Sequence, residues 1–459
     1  RPRPKRISPD RRSGSPAMVR WVAALGPGCI PRDQSTHRTK HAHYAILRTT
    51  QQLDSLVTMP KPSVLISGAS LAGPATAYWL VRGGFEVAIV EQAPALRAGG
   101  NGVDIRGEAL KIVNRMGLSA AVRAHALNTQ GMRFVDSRDR QRARVTTAGL
   151  HAMVGSEDIE ITRGDLASLL NEATQDDVEY LFGDAVTAID QDCDGVDVTF
   201  RGGSRRRFDL VIGADGIHSG VRRLVFGPEE NFRVFKHHYY AVANADLAVG
   251  ERLWTTFYNE PGRSAAVFRA ENGQALMNFM FRSKYPLSYD YRDVAAQRRL
   301  LREAFVGMGW HVPQMLAAAD AAGDFYFDAL DQVQMPSWSN GRVVLVGDAA
   351  YCASPASGAG ALLALSGAYR LAGEIAVGGS ITAALDRYEA AQRPLVAQKQ
   401  SGLFTNISVP RTRLGILARN MLLSSRLTSY LLGHQSDQPR SLREYAFADR
   451  NENSTHDRP

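Results

Sequence analysis

The sequence is poor in the features that define several large protein classes. It has three cysteines in 459 residues, Cys29, Cys193 and Cys352, far apart and without metal-ligand spacing. That excludes a disulfide framework and a cysteine-held metal site, and points to a reducing, cytoplasmic compartment. No apolar run approaches the about 20 residues of a membrane-spanning helix. Met18–Leu25 is too short, and too interrupted by Arg20, for a secretory segment. The formal net charge is +8, but the arginines form no stripe with interleaved aromatics, so nucleic acid is not an expected partner. His237-His238 has no carboxylate or cysteine at metal-ligand distance in sequence. No Ser–His–Asp or Cys–His arrangement stands out, and there are no internal repeats. What remains is a globular chain, 44% hydrophobic and 22% charged, with ample material for two domains.

The most informative stretch is Pro62–Glu91, PSVLISGASLAGPATAYWLVRGGFEVAIVE. Val64–Ile66 is a short β-run. Gly68, Ser70 and Gly73 then follow at the spacing of a G-x-G-x-x-G turn, with serine in the middle. Gly68 permits a tight turn, Ser70 is small enough for a phosphate to approach the backbone, and Gly73 lets the next helix pack on the strand. That helix, read as Ala72–Val81, would aim its positive dipole end at an anion. Val87–Val90 is a second β-run, closed by Glu91, 23 positions after Gly68. An acid at that distance accepts hydrogen bonds from a ribose diol.

The rest of the chain divides by texture. Residues 1–58 are rich in Arg, Pro, Ser and Thr and are expected to be a disordered or non-native extension, with Met59 a natural start. Residues 59–230 read as the first part of a nucleotide-binding domain. Within it Arg97–Gly107 is a glycine loop, and Asp165 is a first-turn acid after Arg163. Val178–Phe182 and Val196–Phe200 read as a meander pair, and Phe208–Ile212 as a buried strand. Residues 231–332 alternate apolar and polar positions and carry many aromatics, which predicts an inserted antiparallel sheet covering a substrate. Residues 333–404 return to the first domain, 405–434 contain a C-terminal helix, and 435–459 read as a mobile tail.

Three separated motifs now combine: the glycine turn with Glu91; Asp209–Arg222, containing Gly213-Ala214-Asp215-Gly216; and Gly341–Ala350, containing Gly347-Asp348 and running on to Pro355 and Gly358. Together, from about Met59 to Leu432, they resemble the single-component FAD-dependent aromatic hydroxylases of the para-hydroxybenzoate hydroxylase fold. The texture is similar to the branch of tetracycline-inactivating and polyketide monooxygenases. The resemblance implies a mixed α/β fold: a Rossmann-like FAD-binding domain, an inserted antiparallel-sheet substrate domain and a C-terminal helix. It implies one FAD, with NADPH or NADH a transient co-substrate. It further implies a flavin C4a-hydroperoxide that hydroxylates an electron-rich, aromatic or polycyclic small molecule. A reductase or oxidase acting on an alkene or isoprenoid, or a flavin-binding protein without turnover, are the alternatives. A monomer or homodimer is expected.

The same resemblance assigns positions. Gly68, Ser70, Leu71, Ala72, Gly73 and Glu91 would hold the adenosine and pyrophosphate. Asp348, with Gly347, would bind flavin-chain hydroxyls, and Arg163 would contact the flavin side. Asp215-Gly216 would meet both FAD and the approaching nicotinamide, although Asp215 is open to a second reading as a helix cap. Pro355, Gly358, Ala359, Gly360 and Ala361 would place a helix N-terminus at the ring's pyrimidine edge. Asp104 would face the ring or order its own glycine loop. The loop departs from the family in being apolar, and Tyr351 stands where the family often has histidine. No acid–base side chain is assigned; the flavin carries the chemistry. Tyr239, Trp254, Tyr258, Phe268 and Phe281 are the candidates for a substrate pocket, against a competing role as sheet core.

Overall fold

The protein is described by a computed structural model covering residues 61–97, 99–149, 158–401, 408–424 and 442–447. The expected N-terminal extension and the end of the expected C-terminal helix lie outside these residues; the helix is described over Arg413–Ser424.

One layer is a six-stranded sheet. Its order is Ser339–Asn340, Val343–Leu345, Leu210–Gly213, Ser63–Ser67, Glu86–Glu91, Glu179–Phe182. All neighbours are parallel except the first pair. The central strands are near-continuous aliphatic runs because helices cover the sheet. Gly360–Ala376 is buried from Ala361 to Ile375 and packs on both the glycine-turn helix Ala72–Arg82 and Ile381–Gln400. Tyr351, at the position where the resembled family often has histidine, points into this layer. Its hydroxyl meets that of Tyr388 at 3.1 Å, and burial pushes it up to about 12.

Strand pairing corrects one sequence expectation. Val178–Phe182 does not pair with Val196–Phe200. Glu179–Phe182 joins the parallel sheet beside Glu86–Glu91, because helix Arg163–Glu172 supplies the crossover that parallel pairing needs. Val196–Phe200 instead lies between Val186–Gln191 and Arg205–Phe208 in a separate three-stranded sheet.

The second layer is a seven-stranded sheet: Tyr326–Ala329, His238–Asp246, Gln274–Arg282, Arg263–Arg269, Trp254–Glu260, Gly131–Val135, Gln141–Thr146. Two of its strands come from residues 131–146, ahead of the span 231–332 expected for it. Trp254–Glu260 pairs parallel with Gly131–Val135, so the sheet is mixed rather than purely antiparallel. Side-chain alternation gives it two faces. One carries Tyr239, Val267, Met277, Phe279 and Phe281 and packs with Leu301, Phe305, Val312 and Met315 of helices Val294–Phe305 and Val312–Ala321. The other carries Tyr240, Val242, Phe268 and Leu276 and packs with Leu330, Tyr326 and Ala356.

Of the tail expected to be mobile, residues 442–447 are described, and they are seated on the first layer. Phe447 lies 4.8 Å from the Trp79 ring, and the Tyr445 hydroxyl donates to Glu374 at 2.8 Å. Gly373 makes room, since a Cβ there would sit 2.3 Å from the Tyr445 ring.

Candidate active site

The three motifs leave the parallel sheet side by side. Ser67 is in register with Gly213, and Gly213 with Leu345. Each strand therefore ends at the same edge, at the carboxyl ends where α/β sheets bind ligands. The fit is tight. A Cβ on Gly68 would lie 2.5 Å from the Ala214 carbonyl oxygen, and one on Gly73 would lie 1.9 Å from that of Gly68. A Cβ on Gly347 would lie 2.9 Å from Ala72. The turn, the Asp215 loop and the Asp348 loop thus form one wall.

Two helices open into this crevice without a side-chain cap and without an acid in the first turn: Ala72–Arg82 and Gly360–Ala376. An uncapped, acid-free N-terminus is disposed to take negative charge. Behind the first, the Glu91 carboxylate accepts the backbone N–H groups of Ala69 and Ala93, each at 2.9 Å.

Asp348 is the first residue of a short helix, Asp348–Tyr351. Burial pushes its carboxyl up, and the nearby Arg163 guanidinium pulls it back down. Arg163 is fixed through its own backbone: its N–H donates to Asn101 O at 3.0 Å, and Gly164 N–H to Gly99 O at 2.8 Å. The glycine loop is thereby docked on the start of helix Arg163–Glu172. Its other end reaches the Pro355–Gly360 segment. Arg106 Nη2 donates to Gly358 O at 3.1 Å, and a Cβ on Gly358 would lie 3.2 Å from Asp104 Oδ2. Ala359 and Ala361 are buried beneath this contact.

Asp215 is engaged within its own loop. Its carboxylate accepts from the Ser219 hydroxyl and, at 3.0 Å, from the Val221 N–H. Burial pushes its carboxyl up, while these donors work against that. Its carboxylate thus orders the turn into helix Gly220–Val225 and holds Gly216 beside the crevice.

Sequence reasoning missed Glu160. It stands opposite Asp104 on the two-stranded ladder Gly102–Ile105 with Ile159–Thr162 and accepts the Thr129 hydroxyl at 2.7 Å. Burial pushes both carboxyls up, and each lies near further negative charge. The signal was a glutamate flanked by two isoleucines in a strand-like run, Ile159-Glu160-Ile161. The aromatic candidates separate by face. Tyr239, Tyr258 and Phe281 belong to the face under the helices, away from the Ala356 loop. Trp254 shares their alternation and stacks under Arg144, donating its Nε1–H to Gln130 at 2.9 Å. Phe268 alone of the five lies on the face that meets Ala356, with Tyr240 and Tyr326, which were not singled out.

With this geometry in place, comparison with known proteins is decisive. A family model described as an FAD binding domain matches residues 61–401. The chain belongs to this family of FAD-dependent monooxygenases. An uncharacterised protein of Mycobacterium tuberculosis is 45% identical over 321 residues, spanning 69% of this chain and 86% of the relative. A flavin-dependent monooxygenase of Legionella longbeachae is 37% identical over 346 residues, spanning 73% and 86%. The crystal structure of the tetracycline destructase Tet(51) superposes with a TM-score of 0.71 at 32% identity, covering 83% of this chain and all of that one. The residues present fit FAD. Two uncapped helix N-termini suit a pyrophosphate and an electron-rich ring, and the glycine cradle leaves no room for side chains at Gly68 and Gly73. Among the described residues of this FAD-dependent monooxygenase, no helix is long and apolar enough to cross a membrane.

Proposed function

We propose that this monooxygenase takes electrons from NADH or NADPH and uses O2 to hydroxylate an electron-rich, aromatic or polycyclic small molecule. The observation that carries this is the meeting of the cofactor-side loops with one apolar face of the substrate sheet, at Ala356 against Tyr240, Phe268 and Tyr326. A polycyclic substrate is supported by the likeness to the tetracycline destructase.

When bound, the flavin supplies the redox and oxygen chemistry. The chain supplies binding, orientation and exclusion of water. In this reading the N-terminus of Ala72–Arg82 holds the pyrophosphate, and Glu91 steadies the turn while keeping lone pairs for the ribose diol. Asp348 accepts hydrogen bonds from flavin-chain hydroxyls, and Arg163 balances its charge. The N-terminus of Gly360–Ala376 stabilises negative charge at the ring edge. Asp104 and Glu160, opposed on one ladder and both pushed up by burial, place two carboxyls next to the glycine loop. Tyr240 and Phe268 offer the aromatic surface for the substrate.

The test is a screen of phenols and polycyclic aromatics on the purified enzyme. It follows NADH and NADPH oxidation, O2 uptake and the mass of the product. A substrate-dependent gain of one oxygen atom, with matching nicotinamide oxidation, is the expected result. Enzyme that retains FAD, yet oxidises nicotinamide without ever transferring oxygen, would refute the reading.

A further inference from the structure

The loop that carries Asp215-Gly216 continues to His218, and this side chain is held from two layers of the protein. Its Nδ1 faces Glu229, at 3.0 Å from Oε1 and 3.2 Å from Oε2. Its Nε2 faces Asp328 Oδ2 at 2.8 Å. Glu229 belongs to a short turn after helix Gly220–Val225, on the cofactor side; Asp328 lies on strand Tyr326–Ala329 of the substrate sheet. The Tyr291 ring lies flat on the imidazole, with centroids 3.9 Å apart and planes 2° from parallel.

A neutral imidazole has a single N–H. With a carboxylate at each nitrogen, it would turn one lone pair toward a negative charge. Only the imidazolium donates to both; the Arg233 guanidinium, with Nη1 3.5 Å from Nδ1, is a like charge facing the ring and opposes it. Arg233 binds Glu229 at 2.5 Å and Asp331 at 2.8 Å and lies 3.6 Å from Asp328; Arg222 lies 3.6 Å from Glu229. The Tyr289 and Tyr326 hydroxyls donate to Asp328, each at 3.4 Å. The cluster therefore holds three carboxylates, Glu229, Asp328 and Asp331, against Arg222, Arg233 and His218. Arg222 also faces the Asp215 carboxyl, so the cations do not exceed the acids, and loss of the His218 proton adds an uncompensated negative charge to the site.

We propose that His218 is a positioning residue which, as the imidazolium, pins the Asp215-Gly216 loop to the substrate sheet and so holds the loop in its cofactor-binding form. This rests on the reading of the crevice as the flavin site. The consequence reaches Asp215 through a short path, because its carboxylate is bonded to Ser219 and Val221 in the same loop. Burial alone would lower the His218 pKa, but its two carboxylates outweigh burial and raise it. A raised histidine contributes stability that is full below its unfolded value of about 6.5 and is lost as pH rises through the folded value. The pin therefore releases as pH rises above the ordinary imidazole value.

Two measurements on the full chain test this from slightly acidic to alkaline pH: hydrogen exchange of the 216–219 amides in the apoprotein, taken relative to the intrinsic exchange rate at each pH, and FAD affinity by fluorescence titration. In the wild type both show one step, with exchange faster and FAD dissociation roughly tenfold weaker above it. His218→Gln removes the step and holds both readings near the alkaline wild-type values. Asp328→Asn removes one of the two carboxylates and moves the step to lower pH. Melting curves confirm that both variants are folded. A flat exchange profile in the wild type, or a step that survives in His218→Gln, overturns the proposal. A step in exchange without one in FAD affinity overturns the role at the cofactor. The exchange arm reads the pin itself, so a failure of FAD binding at every pH would count against the flavin reading alone.

Discussion

Glu91 and Ala69 lock the glycine turn: Glu91 Oε2 accepts the Ala69 N–H at 2.9 Å, while its other oxygen accepts that of Ala93. The acid at the end of the second strand therefore shapes the first turn as well as closing its own strand. Charge-assisted hydrogen bonds contribute about 1.5–3 kcal/mol each. Glu91→Ala should weaken FAD binding by about one to two orders of magnitude and lower the melting temperature of the apoprotein. Glu91→Gln, which keeps one acceptor, should fall between. Equal FAD affinity in wild type and Glu91→Ala would remove the residue from the site.

Asp348 offers a sharper separation. Its folded pKa is raised by burial, so between the unfolded and folded values the native state binds more protons, and stability falls as pH rises through that window. Asp348→Asn removes that cost. It should melt higher than wild type as apoprotein at neutral pH, yet bind FAD more weakly, because a neutral acceptor replaces a charged one. Asp348→Ala should be folded and nearly colourless. A variant that loses stability while keeping its FAD affinity would mark Asp348 as a structural cap.

Two glycines predict opposite outcomes for one substitution. Gly73→Ala drives a Cβ to 1.9 Å from Gly68 O. We expect a loss of at least about 1–3 kcal/mol of stability, together with FAD. At Gly360, a Cβ would meet no protein atom within 4 Å. Gly360→Ala should leave the apoprotein as stable as wild type or gain about 0.4–1 kcal/mol. It should still weaken FAD, since the new methyl stands at an uncapped helix N-terminus facing the crevice. Calorimetry and flavin titration on both variants read this directly.

The faces of the substrate sheet separate two phenylalanines. Phe268 lies on the face whose cluster the Ala356 loop packs against, whereas Phe281 packs with Phe305 and Tyr239. Phe281→Ala should cost about 3–5 kcal/mol of stability, with KM unchanged per folded molecule. Phe268→Ala should raise KM for an aromatic substrate at a smaller cost in stability. Unchanged KM in Phe268→Ala would move the substrate away from this face.

The cofactor-side loops were legible in the sequence because their information is local. Gly68, Ser70, Gly73 and Glu91 lie within one βαβ unit, and the spacing states the turn. Gly213–Gly216 and Gly347-Asp348 each follow a short aliphatic run, so their place at strand ends was legible too. Only the tertiary structure decided what lies across from them. Strand alternation placed aromatics on both faces of the substrate sheet, and nothing in the local pattern says which face meets Ala356; burial looks the same from either side. Glu160 carried a local signal, a glutamate between two isoleucines, but only the ladder set it against Asp104. His218 gained its two carboxylates from residues 11 and 110 positions away. Long-range pairing is a property of register and layer packing, and a single sequence carries no local signal for it.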